Sequence, residues 1–187
     1  MELVSEALVF AAKAHDGMRR KKSKTPYILH PMEAAVIVGS MTDDQEVLAA
    51  AILHDVVEDA GIAMEEIGQR FGPRVRLLVE SETENKREDL PPEETWQILK
   101  EESLQVLKNA EDPGVRMLWL GDKLANIRGI YRDWQVAGDA LWLRFHQSDP
   151  AVQAWYYNSI AELTKPLAHT AAWMEYKALT DIVFKKG

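Results

Sequence analysis

Cysteine is missing from this 187-residue chain, which removes disulfide frameworks and thiolate metal sites from consideration. Any metal would have to be held by His, Asp, Glu and water. Positive charge is scarce: 22 Lys and Arg stand against 30 Asp and Glu, a formal net charge of -8. General nucleic-acid binders rely on broad positive surface, so that class is excluded. A small anionic ligand stays open wherever basic residues cluster locally. No apolar run is long enough to span a bilayer. The start, Met1-Glu2-Leu3-Val4, has no basic region leading into an apolar signal core. The expectation is a soluble, cytoplasmic protein that engages neither membrane nor nucleic acid. Strand signals are poor as well, because no hairpin dipeptide joins two alternating apolar runs.

Apolar residues, at 47%, are abundant enough for a packed core. Leu3, Val4, Ala7, Leu8, Phe10, Ala11 and Ala14 recur near a period of 3.6, which predicts a helix over 2–15. A basic, irregular segment follows over 18–29, where Pro26 argues against helix. Pro31 suits the first position of a helix running to about Met41. Thr42 and Gln45 fit a capping box that starts the next helix, through the Ala-rich run and His54-Asp55 to a stop at Gly61. Further helices are predicted at 64–71, 73–83, 93–109 and 115–131, with three more near 137–146, 149–163 and 166–184. The fold class is therefore all-α, a bundle of about eight to ten helices in one domain over residues 1–187.

The most informative segment is Leu53-His54-Asp55-Val56-Val57-Glu58-Asp59. An apolar run leads straight into a histidine and three acids, and burying such groups is costly unless something neutralises them. A divalent metal would do so and would make the site chemically useful. His54 to Glu58 and Asp55 to Asp59 are each four apart, so each pair lies along one side of a helix. His30 stands before Pro31 in an apolar frame, and Asp122 is an acid embedded in an apolar helix. Two imidazoles and two carboxylates with open water positions suit Mn, Fe, Zn or Mg-like ions. Taken singly, each residue has a structural alternative: capping for the histidines, a salt bridge for Asp122.

Four blocks then occur in order: His15-Asp16-Gly17-Met18-Arg19-Arg20-Lys21, Pro26-Tyr27-Ile28-Leu29-His30-Pro31, Leu53 through Asp59, and Gly121-Asp122-Lys123-Leu124-Ala125-Asn126-Ile127-Arg128. Together they resemble the HD superfamily of metal-dependent phosphohydrolases. Within it, they are similar to the hydrolase domain of RelA/SpoT proteins and their small stand-alone members, over about residues 2–131. The resemblance implies an HD-domain helical bundle around one Mn ion, with His30, His54, Asp55 and Asp122 as ligands. It implies that Glu58 and Asp59 orient or deprotonate the attacking water. Arg20, Lys21 and Ser23 would line a basic loop near substrate phosphates, and Asn126 and Arg128 would be polar substrate-binding positions. The implied reaction is hydrolysis of the 3′-diphosphate of guanosine 3′,5′-bis(diphosphate) or its pentaphosphate, to GDP or GTP and pyrophosphate.

Met18 stands where Gln is common in that family, Ala125 where His or Tyr is common, and Gly121 where Ala is usual. These departures keep open a different HD phosphohydrolase acting on another nucleotide, or a nucleotide-binding module without turnover. Outside the blocks, Trp134, Trp142, Trp155, Tyr156, Tyr157 and Trp173 read as core, with a dimer surface as the alternative. Lys86 and Arg87 read as a solvated loop. His15 reads either as support for the metal loop or as a helix-end residue bonding backbone.

Overall fold

A computed structural model of the chain describes residues 1–20, 23–84 and 91–184, with backbone alone over 92–94. Proline opens four helices at the first helical position, where its missing N–H leaves no bond unmade. They are α6 (Pro73–Glu82), α7 (Pro92–Asn109), α8 (Pro113–Ala137) and α9 (Pro150–Leu163). Before them come α1 (Leu3–Ala14), α2 (Leu29–Gly39), α3 (Gln45–Leu53), α4 (Val56–Ala60) and α5 (Met64–Phe71). A 3-10 helix (Gly138–Arg144) precedes α9, another (Lys165–Leu167) follows it, and α10 (Ala171–Val183) completes the order. The all-α expectation holds: among the described residues the only extended pairing is one antiparallel bridge, Arg19 to Pro26. No described helix is long and apolar enough to cross a membrane.

α3 and α8 form the centre. Ala49, Ala50 and Ala51 are fully buried, and their small side chains let α1 and α2 close on α3. α8 buries Leu118, Leu120, Leu124 and Ile127 and packs against α2, α3 and α10. Gly121 is where α2 meets α8. A Cβ there would stand 2.5 Å from Val38 Cγ2 and 3.0 Å from the Ala34 carbonyl oxygen, so only glycine permits this approach.

Four local expectations need correcting. The helix through His54-Asp55 does not run unbroken to Gly61: α3 ends at Leu53 and α4 begins at Val56. Asp55 sits at φ -95°, ψ -6°, a conformation that interrupts the α ladder. The cap of α3 is Asp44, which accepts from the Glu46 and Val47 amides at 3.0 and 3.4 Å. Thr42 instead accepts from the Asp44 amide, and Gln45 turns back to the Asp43 carbonyl. A single side-chain oxygen already serves both first-turn donors, so no reciprocal box forms. α2 begins two residues before Pro31, because proline is tolerated throughout a first turn whose N–H groups have no helical partner. Finally, the 18–29 segment is less irregular than expected: Arg20 N–H donates to Thr25 O and Tyr27 N–H to Met18 O, both at 3.0 Å. This tight loop aims Arg20 and Tyr27 at the same end of the bundle.

Arg74 on α6 ties the starts of the two central helices together. Its guanidinium reaches Asp44 at 2.7 Å, Glu46 at 3.0 Å and Asp112 at 2.8 Å. Asp112 caps α8 through the Gly114 amide at 2.8 Å.

Candidate metal centre

The break between α3 and α4 solves a geometric problem. Neighbours on a continuous helix point about 100° apart, yet His54 and Asp55 must face one place. With the ladder interrupted at Asp55, both do. His54 Nε2 lies 3.2 Å from Asp55 Oδ2, and His30 Nε2, from the first turn of α2, lies 3.5 Å from the same oxygen. Asp122 Oδ1, from the middle of α8, is 2.9 Å from His30 Nε2 and 3.5 Å from His54 Nε2. Donor atoms about 2.1 Å from one ion stand about 3.0 Å apart at octahedral angles and about 3.4 Å at tetrahedral ones. The ligand atoms of His30, His54 and Asp122 all lie within 4.8 Å of one another, close enough to share one ion, and Asp55 Oδ2 stands beside both imidazoles.

Protonation supports the same reading. His54 Nδ1 is 2.8 Å from the Ala51 carbonyl oxygen, which can only accept, so Nδ1 carries the hydrogen. In the neutral ring Nε2 then keeps its lone pair, buried and without a hydrogen-bond partner in the structure. A second nitrogen fixed by a backbone carbonyl is the usual support for a metal-ligating imidazole. The donor set therefore fits a divalent cation. Without one, burial would push the His54 ring towards neutrality, but the facing Asp55 and Asp122 carboxylates hold its pKa well above the ordinary value. Burial would raise Asp122, yet Lys123 and the two imidazoles draw it well below the carboxylate range.

Around this cluster lies a ring of polar supports. The Lys123 ammonium pairs with Asp122 and, at 3.2 Å, with Glu82 Oε2. Burial, opposed by Lys123, raises Glu82 to about 7. Asn126 donates to Asp122 Oδ1 at 2.8 Å and accepts from Arg20 Nη2 at 3.1 Å. Glu58 Oε2 accepts from the Glu84 amide at 3.3 Å. Tyr27, quoted in the second motif block but given no role there, has its hydroxyl 2.8 Å from Asp55 Oδ2 and 2.5 Å from Asp59 Oδ2. Burial and these two carboxylates push its pKa far above tyrosine's usual value. Only its place three residues before His30 hinted at this, since an aromatic next to a proline ordinarily reads as packing.

His30, His54, Asp55, Asp122, Asp59, Arg20 and Asn126 are thus brought into one connected array. Ser23 is exposed and bonds within its own turn to Thr25. Lys21, Lys86 and Arg87 lie outside the described residues. Arg128 points elsewhere: Glu175 takes it through two bonds of 2.7 Å, and Glu33 takes a third at 3.2 Å. His15 is buried against the Tyr27 ring, centroids 5.0 Å apart, and neither ring nitrogen bonds backbone.

The HD-domain family model matches residues 7–139. The guanosine-3′,5′-bis(diphosphate) 3′-pyrophosphohydrolase of Aquifex aeolicus is 32% identical over 185 residues, covering 98% of this chain but 24% of that one. Its namesake MESH1 of Xenopus tropicalis is 41% identical over 134 residues, 70% of each chain. Among solved structures, a metazoan SpoT ortholog that hydrolyses ppGpp superimposes with a TM-score of 0.74 at 27% identity, covering 96% of this chain and 94% of that one. The chain spans about a quarter or less of the length of several curated relatives, the Aquifex and Brucella proteins among them. The chain belongs to the HD-domain family and is a homologue of the guanosine-3′,5′-bis(diphosphate) 3′-pyrophosphohydrolases.

Proposed function

We propose that this protein hydrolyses the 3′-diphosphate of guanosine 3′,5′-bis(diphosphate) or its pentaphosphate, giving GDP or GTP and pyrophosphate, with Mn2+ as its ion. The observation that carries the reading is the grouping of His30, His54 and Asp122 donor atoms within 4.8 Å of one another, with Asp55 Oδ2 3.2 and 3.5 Å from the two imidazoles and Asp59 one turn beyond Asp55. A bound divalent ion lowers the pKa of a water and neutralises a phosphate oxygen.

The chain's own residues supply the rest. Glu58, four positions after His54 and held by the Glu84 amide, accepts the proton of the attacking water. Asp59, one turn beyond Asp55, orients that water. The water oxygen bonds to the phosphorus carried by the 3′ oxygen, the bond from that phosphorus to the ribose oxygen breaks, and the ribose oxygen leaves as the 3′ hydroxyl by taking up a proton from water. Arg20 and Lys21 neutralise the diphosphate, with the Ser23 hydroxyl of the same loop donating to a phosphate oxygen, so local attraction outweighs the net charge of -8. Asn126 spans Arg20 and Asp122 and thereby couples phosphate recognition to the ligand set. Arg128 braces α10 against α2 and α8, which makes the C-terminal helices part of one catalytic unit over residues 1–187.

Incubating the pure protein with Mn2+ and guanosine 3′,5′-bis(diphosphate) is expected to release pyrophosphate. Inorganic phosphate in its place would identify an HD phosphohydrolase of another specificity. Ligand-dependent thermal stabilisation without turnover would identify a binding module. No pyrophosphate with any of several divalent metals rejects the substrate.

A further inference from the structure

We propose that Tyr27 is a positioning residue whose hydroxyl ties the metal ligand Asp55 to the acid Asp59 and so sets the distance between that acid and the ion. The assignment rests on the hydrolase reading above. The two carboxylate oxygens are 2.8 and 2.5 Å from one phenol oxygen and share its single hydrogen, so both acids are drawn to the same point. Asp55 lies in the break after α3, and Asp59 lies on the five-residue α4. So short a helix holds its place poorly by its own hydrogen bonds, and a side-chain tie between its acid and the residue that precedes it restricts both.

The ring cannot swing away from this contact. It packs against His15 at 5.0 Å and edge-on to His30 at 6.1 Å, with the Arg20 guanidinium 5.5 Å from its centroid. Its backbone is equally fixed: the amide donates to Met18 O at 3.0 Å, and the carbonyl accepts from the amide of His30, itself a ligand, at 2.9 Å. Packing would be served as well by phenylalanine. The hydroxyl is the only part of Tyr27 that reaches the acids, so its role can be separated from that of the ring.

Tyr27→Phe, checked for an unchanged melting profile, tests this in two ways. Mn2+ titrated into the nucleotide-free protein, with free Mn2+ read by its paramagnetic resonance signal, should bind about tenfold more weakly. At saturating Mn2+, kcat on guanosine 3′,5′-bis(diphosphate) should fall about 10- to 100-fold with KM within about twofold, the mark of a misplaced group rather than a lost substrate contact. Unchanged Mn2+ affinity together with unchanged kcat overturns the assignment. A raised KM at constant kcat overturns it too, because the hydroxyl would then touch substrate. The Mn2+ titration needs no nucleotide, so it judges Tyr27 even if the substrate proves different. Should the phenylalanine variant fail to fold, Asp59→Asn decides alone: wild-type kcat there would leave the hydroxyl no acid to position.

Discussion

His54, the C-cap of α3, faces Asp122 in the middle of α8, with His54 Nε2 3.5 Å from Asp122 Oδ1. His54 is nine residues beyond Gln45, the first residue of α3, and Asp122 is nine beyond Pro113, the first of α8. Both helices begin at one guanidinium, since Arg74 holds the cap of α3, Asp44, and the cap of α8, Asp112. Equal rises of roughly 14 Å from a shared origin bring the two ligand atoms within 3.5 Å. The register of the metal centre is thus set at the opposite end of the helices.

Arg74→Ala should therefore cost about 1–2 kcal/mol, less than a buried network because Arg74 is one-third exposed. It should also weaken metal binding at a site it does not touch. The pH dependence has a definite sign. At Asp44, burial is outweighed by hydrogen bonds from Arg74 and two amides, and Asp112 is lowered chiefly by Arg74. Depressed carboxyls stabilise the fold above their unfolded pKa, near 3.8, and lose that contribution as pH falls through their folded values. Melting curves of the two proteins should differ fully at neutral pH and draw together only as pH falls below 3.8 through the lower folded values. A constant gap down to pH 2 would refute the clamp.

Much of this was legible in the sequence. The 3.6 periodicity predicts the helices, and the candidate ligands stand out because an acid or histidine in an apolar frame is conspicuous. The break at Asp55 does not, because Leu48 through Ala60 has no glycine or proline and local propensity favours one helix. Asp44 was passed over for Thr42 because both are good caps and only the chain path chooses between them. The pairing of Arg128 with Glu175, 47 positions on, is one that no local pattern reveals.

Gly121→Ala tests the close approach of α2 and α8. Alanine would gain roughly 1 kcal/mol of helix propensity, yet its methyl would meet the Ala34 carbonyl and the Val38 side chain at 3.0 and 2.5 Å. Overpacking of this kind costs about 1–3 kcal/mol, and the backbone contact cannot be relieved by a rotamer change. A net loss is expected in thermal unfolding. Since α2 carries His30, Mn2+ affinity should fall with it. An alanine variant as stable as the parent would mean that α2 shifts freely.

Arg128→Gln separates bracing from substrate binding. Its bidentate pair with Glu175 and its bond to Glu33 join α8 to α10 and α2. Loss of the charge should lower the melting temperature by a few degrees, corresponding to about 1 kcal/mol for a chain of this size. KM for the guanosine nucleotide should stay within about twofold. A tenfold rise in KM with unchanged melting would return Arg128 to the phosphate site.

Metal removal gives the most direct reading of the ligand set. The cluster places two imidazoles between two carboxylates, so an ion bound there belongs to the folded state alone and stabilises it by mass action, about 2.7 kcal/mol at one hundred times its Kd. Chelation should lower the melting temperature, and Mn2+ should restore it in the parent. Asp55→Ala removes one of the four donor atoms and should abolish that response together with activity. Glu58→Ala leaves all four donors in place, so it should keep the Mn2+-dependent rise while losing most turnover. If Glu58→Ala retained full turnover, the proton acceptor would have to be the neighbouring Asp59, already held by Tyr27 at 2.5 Å. If Asp55→Ala retained the full metal response, the ion would sit somewhere other than between these helices.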